Sequence, residues 1–87
     1  MPDVVVYSKV PCAYCVQAKA LLEARGIPFE ERDLTGDYKG IADLAGRTGM
    51  LTLPQIFVGD TFVGGYTETS AADKTGKLAK LLEVEAA

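Results

Sequence analysis

Cys12 and Cys15 are the only cysteines in an 87-residue chain that has no histidine. In the run Cys12-Ala13-Tyr14-Cys15 they stand three residues apart, close enough to join in a disulfide on one helical turn. The residues that follow, from Val16 to Arg25, read as a helix, so the pair lies at its N-terminus. Unpaired backbone N–H groups and the positive dipole end favour a thiolate there. Thiol–disulfide exchange needs an exposed attacking thiolate and a second thiol within reach to resolve the mixed disulfide. Cys12, just outside the helix, suits attack; Cys15, inside its first turn, suits resolution and should be the more covered. Lys9 adds a supporting cation three residues earlier.

The pair also has plainer readings. A structural zinc site needs more Cys or His ligands than this chain carries, so a single-chain zinc centre is disfavoured. A structural disulfide closing so short a loop would add little chain-entropy stabilisation. Idle thiols remain, because CxxC is a short motif; its place between a strand and a helix in a βαβ pattern is what favours redox chemistry.

The elements around the pair supply that place. Val4-Val5-Val6-Tyr7-Ser8 is a continuously apolar, β-branched run, expected as a central strand buried on both faces. Pro11 lacks a donor and restricts Val10, so residues 9–11 form a loop that delivers Cys12 to the helix start. The helix is expected from about Ala13 to Arg25, with Val16, Ala20 and Ala24 on one stripe beside Leu21, and with Gly26 closing it. Ile27 to Leu34 reads as a half-polar strand near a sheet edge, which makes a right-handed parallel crossover with the first. Asp37 or Thr35 caps a short second helix carried by Ile41, Ala42, Leu44 and Ala45, ending near Gly46 to Gly49.

Thr52-Leu53-Pro54-Gln55-Ile56-Phe57-Val58 and Thr61-Phe62-Val63-Gly64-Gly65, divided by Gly59-Asp60, form a β-hairpin. Pro54 is either an ordinary strand-start proline or part of a cis Leu53-Pro54 bond at a sharp entry. Gly64-Gly65 either ends the hairpin or lets a ligand backbone come close. Thr67 is the expected N-cap of a third helix, whose N-terminus can hold a carboxylate. Gly76 divides this stretch from a C-terminal amphipathic segment with Leu78, Leu81, Leu82 and Val84.

The length fits one domain, residues 1–87, with a single modest core. Hydrophobic residues make up 48% and charged residues 24%, a globular balance, and the net charge of −3 argues against nucleic acid. The apolar runs are too short for a membrane span, and the N-terminus lacks a signal-peptide pattern. The expected compartment is the cytoplasm, with the proviso that a targeting segment removed from the chain leaves no trace here.

The order βαβαββα with CxxC at the first helix, together with Val6-Tyr7-Ser8-Lys9, Thr52-Leu53-Pro54-Gln55-Ile56-Phe57 and Val63-Gly64-Gly65-Tyr66, closely resembles the dithiol glutaredoxins over nearly the whole chain. The resemblance implies a thioredoxin fold: a four-stranded mixed sheet in an α/β architecture, with helices on both faces. It implies glutathione as electron donor, forming a mixed disulfide on Cys12 that a second glutathione, or Cys15, resolves. Lys9 would pair with the tripeptide's glycyl carboxylate and Tyr14 would flank the sulfur. Thr52, Leu53 and Pro54 would form the edge that binds the cysteinyl backbone like a short antiparallel strand. Gly65, Thr67 and Glu68 would surround the γ-glutamyl end. A solvated charge at Lys9 and a surface aromatic at Tyr14 are the plainer readings.

The chain departs from the family pattern in places. Ala13 replaces the usual proline between the cysteines, and in this family non-proline residues there accompany dimers that hold a 2Fe–2S cluster between two first cysteines and two glutathiones. A polar residue of the second helix that commonly reaches the glycyl carboxylate is matched by Ile41, with Arg47 or Lys39 as substitutes. Glu68 stands where Asp is common, and Thr69 and Ala72 replace larger apolar residues, which predicts a looser seat for the third helix.

The leading expectation is a glutathione-dependent oxidoreductase, acting as a monomer on protein disulfides and glutathionylated proteins. The alternatives are an iron–sulfur scaffold or carrier working as a cluster-bridged dimer, and a thioredoxin-reductase-fed carrier to ribonucleotide reductase. The absence of tryptophan and the presence of Lys9, Tyr14 and Thr67 argue against the last.

Overall fold

The computed structural model describes residues 3–86. Its elements run β1 (Val4–Ser8), α1 (Ala13–Ala24), β2 (Glu30–Asp33), α2 (Tyr38–Thr48), β3 (Gln55–Val58), β4 (Thr61–Gly64), α3 (Tyr66–Lys74) and α4 (Lys77–Ala86). The strands form one sheet in the order β2-β1-β3-β4. β1 is parallel to β2 and antiparallel to β3, and β3 is antiparallel to β4. This is the four-stranded mixed sheet of the thioredoxin fold. The hairpin turns at Gly59, whose φ of 57° is in the left-handed region glycine tolerates.

One sheet face is sealed by Val4, Val6, Ile56 and Val58 packing on Ala18 and Leu22 of α1 and Leu78 of α4. The other face, with Val5, Tyr7 and Phe57, is only half-buried, which corrects the expectation that β1 is covered on both sides. The reason is α2, which contributes one fully buried residue, Leu44. Aromatic rings do the rest: Tyr7 meets Phe57 edge-on at 5.7 Å and Phe57 meets Phe62 at 5.1 Å. The guanidinium groups of Arg32 and Arg47 lie 5.8 and 5.5 Å from the ring centres of Tyr7 and Phe57. Arg47, a suggested substitute for a missing carboxylate partner, is thus engaged on an aromatic ring.

Other expectations shift as well. The buried stripe of α1 is Cys15, Ala18 and Leu22, whereas Val16 is 62% exposed. The spacing from Cys15 onward sets the inward face, because that sulfur is itself packed against the core. β2 starts at Glu30, after Pro28, and all of its side chains are exposed at the sheet edge. Asp37, not Thr35, caps α2, accepting the Gly40 N–H at 2.9 Å. α3 begins two residues earlier than expected, with Gly65 rather than Thr67 at its N-cap. The C-terminal stretch divides at Gly76 into α3 and α4, and Val84 points to solvent.

β1 and β2 are bound to α1 through Glu31. Its Oε2 accepts hydrogen bonds from Lys19 Nζ at 2.8 Å and Ser8 Oγ at 2.6 Å. These bonds, that from Lys19 foremost, hold the Glu31 carboxyl below its ordinary value of 4.5. A depressed carboxylate stabilises the fold above its unfolded pKa, and that contribution is lost as the pH falls through the folded value. Glu31→Gln is therefore expected to be less stable than the native chain at neutral pH, with the gap closing below about pH 4.5. Urea denaturation across this range reads the gap, and a gap that ignores pH contradicts the assignment.

Thr69 takes the inward position of α3 and is fully buried, yet its Oγ1 has no hydrogen-bond partner among the described residues. Thr69 is thus closely covered, and what marks its position is an unsatisfied hydroxyl. Thr69→Val keeps the shape and removes the buried polar atom, so it is expected to stabilise the fold by about 1 kcal/mol. A higher urea midpoint at unchanged slope is the expected readout.

Candidate active site

The loop after β1 brings Cys12 to the N-cap of α1 in an extended conformation. There Cys12 Sγ accepts the Cys15 N–H at 3.1 Å, while the Val16 N–H donates to the Cys12 carbonyl at 3.2 Å. The sulfur therefore caps one of the donors that a helix start leaves unpaired. Cys12 and Cys15 are joined in a disulfide, with Cα atoms 5.2 Å apart. Cys12 is half-buried and Cys15 only 1% exposed, so Cys15 is the more covered of the two, as expected. Leu53 presents its carbonyl oxygen 3.7 Å from Cys12 Sγ, and both the Leu53-Pro54 and Val10-Pro11 peptides are cis.

A groove of about 330 Å³ opens beside this edge. Of the residues expected at the site, Tyr14, Thr52, Leu53, Pro54, Gly65, Thr67 and Glu68 line it. Cys12 borders it through its contact with Leu53. Lys9 does not line it; it lies exposed in the loop between β1 and Cys12. Ile41 is half-buried and Lys39 exposed, neither of them in the lining. Glu68 reaches back so that its Oε1 accepts the Gly65 N–H at 2.7 Å. The longer side chain thus caps its own helix.

Three residues of the site escaped the sequence reading. Tyr66 lies in the quoted Gly-Gly-Tyr run, yet nothing there indicated that it stacks on Tyr14, with ring centres 5.9 Å apart and planes 22° from parallel. Met50 lines the groove without any motif to announce it. Gln55 is the most structural of the three. Only 2% exposed, it donates through Nε2 to the carbonyls of Met50 at 2.9 Å and Thr52 at 3.1 Å, and accepts from Thr48 Oγ1 at 2.8 Å. A glutamine directly after a strand-opening proline, in an otherwise apolar strand, was the available signal.

A larger cleft of about 390 Å³ includes Asp3, Val4, Phe29 and Arg32. It lies at the end of β1 away from Cys12 and contains neither cysteine. Among the described residues no group of three or more His, Cys, Asp or Glu side chains comes together to hold a metal ion. No helix among them is long and apolar enough to cross a membrane.

The chain that builds this site has counterparts among known proteins. Residues 4–63 match the family described as Glutaredoxin. The chain is 43% identical over 82 residues to a Pseudomonas aeruginosa protein named Glutaredoxin, covering 94% of this chain and 98% of that one. It is 37% identical over 83 residues to Glutaredoxin 3 of Escherichia coli K12, covering 95% and 100%. Among solved structures, a buckwheat glutaredoxin-glutathione complex superposes with a TM-score of 0.84 at 30% identity, covering 97% of this chain and 79% of that one. A glutaredoxin from Brucella melitensis gives 0.84 at 41% identity, with 94% and 89% covered. The two-cysteine site, the fold around it and these matches along most of the chain converge: the chain belongs to the glutaredoxin family.

Proposed function

We propose that this thiol–disulfide oxidoreductase draws its electrons from glutathione, with the whole chain working as one domain. The observation that carries the reading is Cys12 Sγ at the N-cap of α1, 3.1 Å from the Cys15 N–H and 3.7 Å from the Leu53 carbonyl at the groove edge. In the reduced protein, the Cys15 N–H aimed at that sulfur and the helix start favour its thiolate, and the groove offers a backbone edge and a helix start for a peptide with a terminal carboxylate.

With a glutathionylated protein, the Cys12 thiolate attacks the glutathione sulfur. A Cys12–glutathione disulfide forms, the mixed disulfide breaks, and the substrate leaves as a thiolate that takes up a proton. A second glutathione thiolate then attacks the bound glutathione sulfur, giving glutathione disulfide and releasing the Cys12 thiolate. With a protein disulfide, Cys12 joins one substrate sulfur and Cys15 attacks Cys12 Sγ. The substrate leaves as a dithiol and the Cys12–Cys15 disulfide forms, which two glutathiones reduce. Tyr14, Thr52, Leu53, Pro54, Gly65, Thr67 and Glu68 bind the tripeptide in this scheme, and Lys9 supplies positive charge beside Cys12. The partners are glutathione and disulfide-bearing or glutathionylated proteins of the cytoplasm, met by a monomer. Family membership and the Cys12–Cys15 disulfide favour exchange over the cluster-carrier and thioredoxin-reductase-fed readings.

The test is turnover of a small glutathione mixed disulfide, with glutathione and glutathione reductase as the electron supply. Saturable turnover that vanishes without glutathione is expected. Turnover supported by thioredoxin reductase but not by glutathione overturns the reading.

A further inference from the structure

The loop of residues 9–11 decides where Cys12 sits, yet it has few backbone donors with which to be held, since Pro11 has no N–H. The Val10 N–H donates at 2.8 Å to Thr35 Oγ1, a residue 25 positions away in the turn after β2. Thr35 in turn is held by Asp33. Its hydroxyl donates to Asp33 Oδ1, and its N–H donates to the same oxygen at 2.9 Å. A hydroxyl has one proton; with that proton committed to the carboxylate, a lone pair is left facing Val10. The bonds from the Thr35 hydroxyl and backbone hold the Asp33 carboxyl below its usual value, so it is ionised and acts only as an acceptor at neutral pH. One residue further back, the Leu34 N–H donates to the Ser8 carbonyl at 2.8 Å, so the turn grips the chain on both sides of Lys9.

We propose that Thr35, oriented by Asp33, is a positioning residue for Cys12. Neither residue lines the groove. Their effect passes through Val10 to the loop, and from the loop to the sulfur that must stay at the N-cap of α1 to be stabilised as a thiolate. Small displacements of a reacting atom lower rates steeply, which gives a surface hydrogen bond leverage on rate beyond its modest effect on stability.

The inference rests on Cys12 being the reacting thiol of the proposed function, but its deciding readout, alkylation of Cys12, needs no glutathione. The reduced protein is treated with iodoacetamide at pH 7 and alkylation of Cys12 is followed by mass spectrometry, beside steady-state turnover and thermal unfolding. Thr35→Val is expected to slow Cys12 alkylation and to lower kcat by about three- to tenfold, with KM and the unfolding midpoint little changed. Thr35→Ser keeps the hydroxyl and is expected to restore both rates. Asp33→Ala, which leaves the hydroxyl unoriented, is expected to shift alkylation in the same direction as Thr35→Val and decides the matter if Thr35→Val does not fold. Native alkylation in Thr35→Val or in Asp33→Ala overturns the proposal, as does a Thr35→Ser protein as slow as Thr35→Val. Slowed alkylation with no glutathione-dependent turnover in the native chain supports the positioning role and rejects the glutathione reading separately.

Discussion

Cys12→Ser is expected to abolish turnover of both glutathione mixed disulfides and protein disulfides, by at least about a thousandfold, because a serine hydroxyl is not ionised near neutrality and forms no disulfide. Cys15→Ser is expected to behave otherwise. Cys15 is buried and bonded to Cys12, and in the proposed scheme it acts only after Cys12 has formed a mixed disulfide. A substrate that glutathione can finish alone does not need it, so turnover of a small glutathione mixed disulfide should stay within about a fewfold of native. Reduction of a protein disulfide, where the second thiol releases the trapped substrate, should fall much further. Measuring both substrates on both variants separates the roles. Equal loss for both substrates in Cys15→Ser contradicts the assignment of Cys15 as resolving thiol, and activity in Cys12→Ser contradicts the whole scheme.

Gly64→Ala is the substitution expected to damage the fold most. Gly64 is buried at the end of β4 with φ of 127°, a conformation that side chains resist, and a Cβ there would lie 2.7 Å from the Cβ of Glu68. That atom is next to the α3 backbone and cannot swing aside, so backbone strain and overpacking add. A loss of about 3 kcal/mol is expected. Gly36→Ala is the control, since φ there is 76° but nothing lies within 4 Å of the added carbon. It should lose only about 1 kcal/mol. Urea denaturation of both isolates the clash, and equal losses refute it. In Gly64→Ala the start of α3 must also move, taking with it the Glu68 cap on the Gly65 N–H and one wall of the groove.

The sheet and the reactive pair were legible in the sequence because each is written in local patterns. A β-branched run, a CxxC at a helix start, and a hairpin divided by Gly59-Asp60 need no distant partner to be recognised. The faces of the helices were less legible. Val16 looked like core, but the inward direction of α1 is fixed by which side chains meet the sheet, and Cys15 takes that place. The N-cap of α3 was misplaced for a related reason. Thr67 is the stronger capping residue, yet the preceding strand ends so close to the helix that Gly65 must make the turn, and Glu68 supplies the missing acceptor. The Tyr14–Tyr66 stack and the bond from Val10 to Thr35 join residues far apart in the chain, and no single-sequence pattern reports such pairs.

The buried amide of Gln55 has a further consequence for how the site meets a partner. Its three hydrogen bonds anchor the strip from Thr48 to Thr52 to the floor of the sheet, and peeling that strip away would strand an amide in the interior without partners. The strip is therefore a fixed jaw rather than a hinged lid. A ligand docking against it would meet a strip that is already held in place, and little of the binding energy would be spent on ordering the protein.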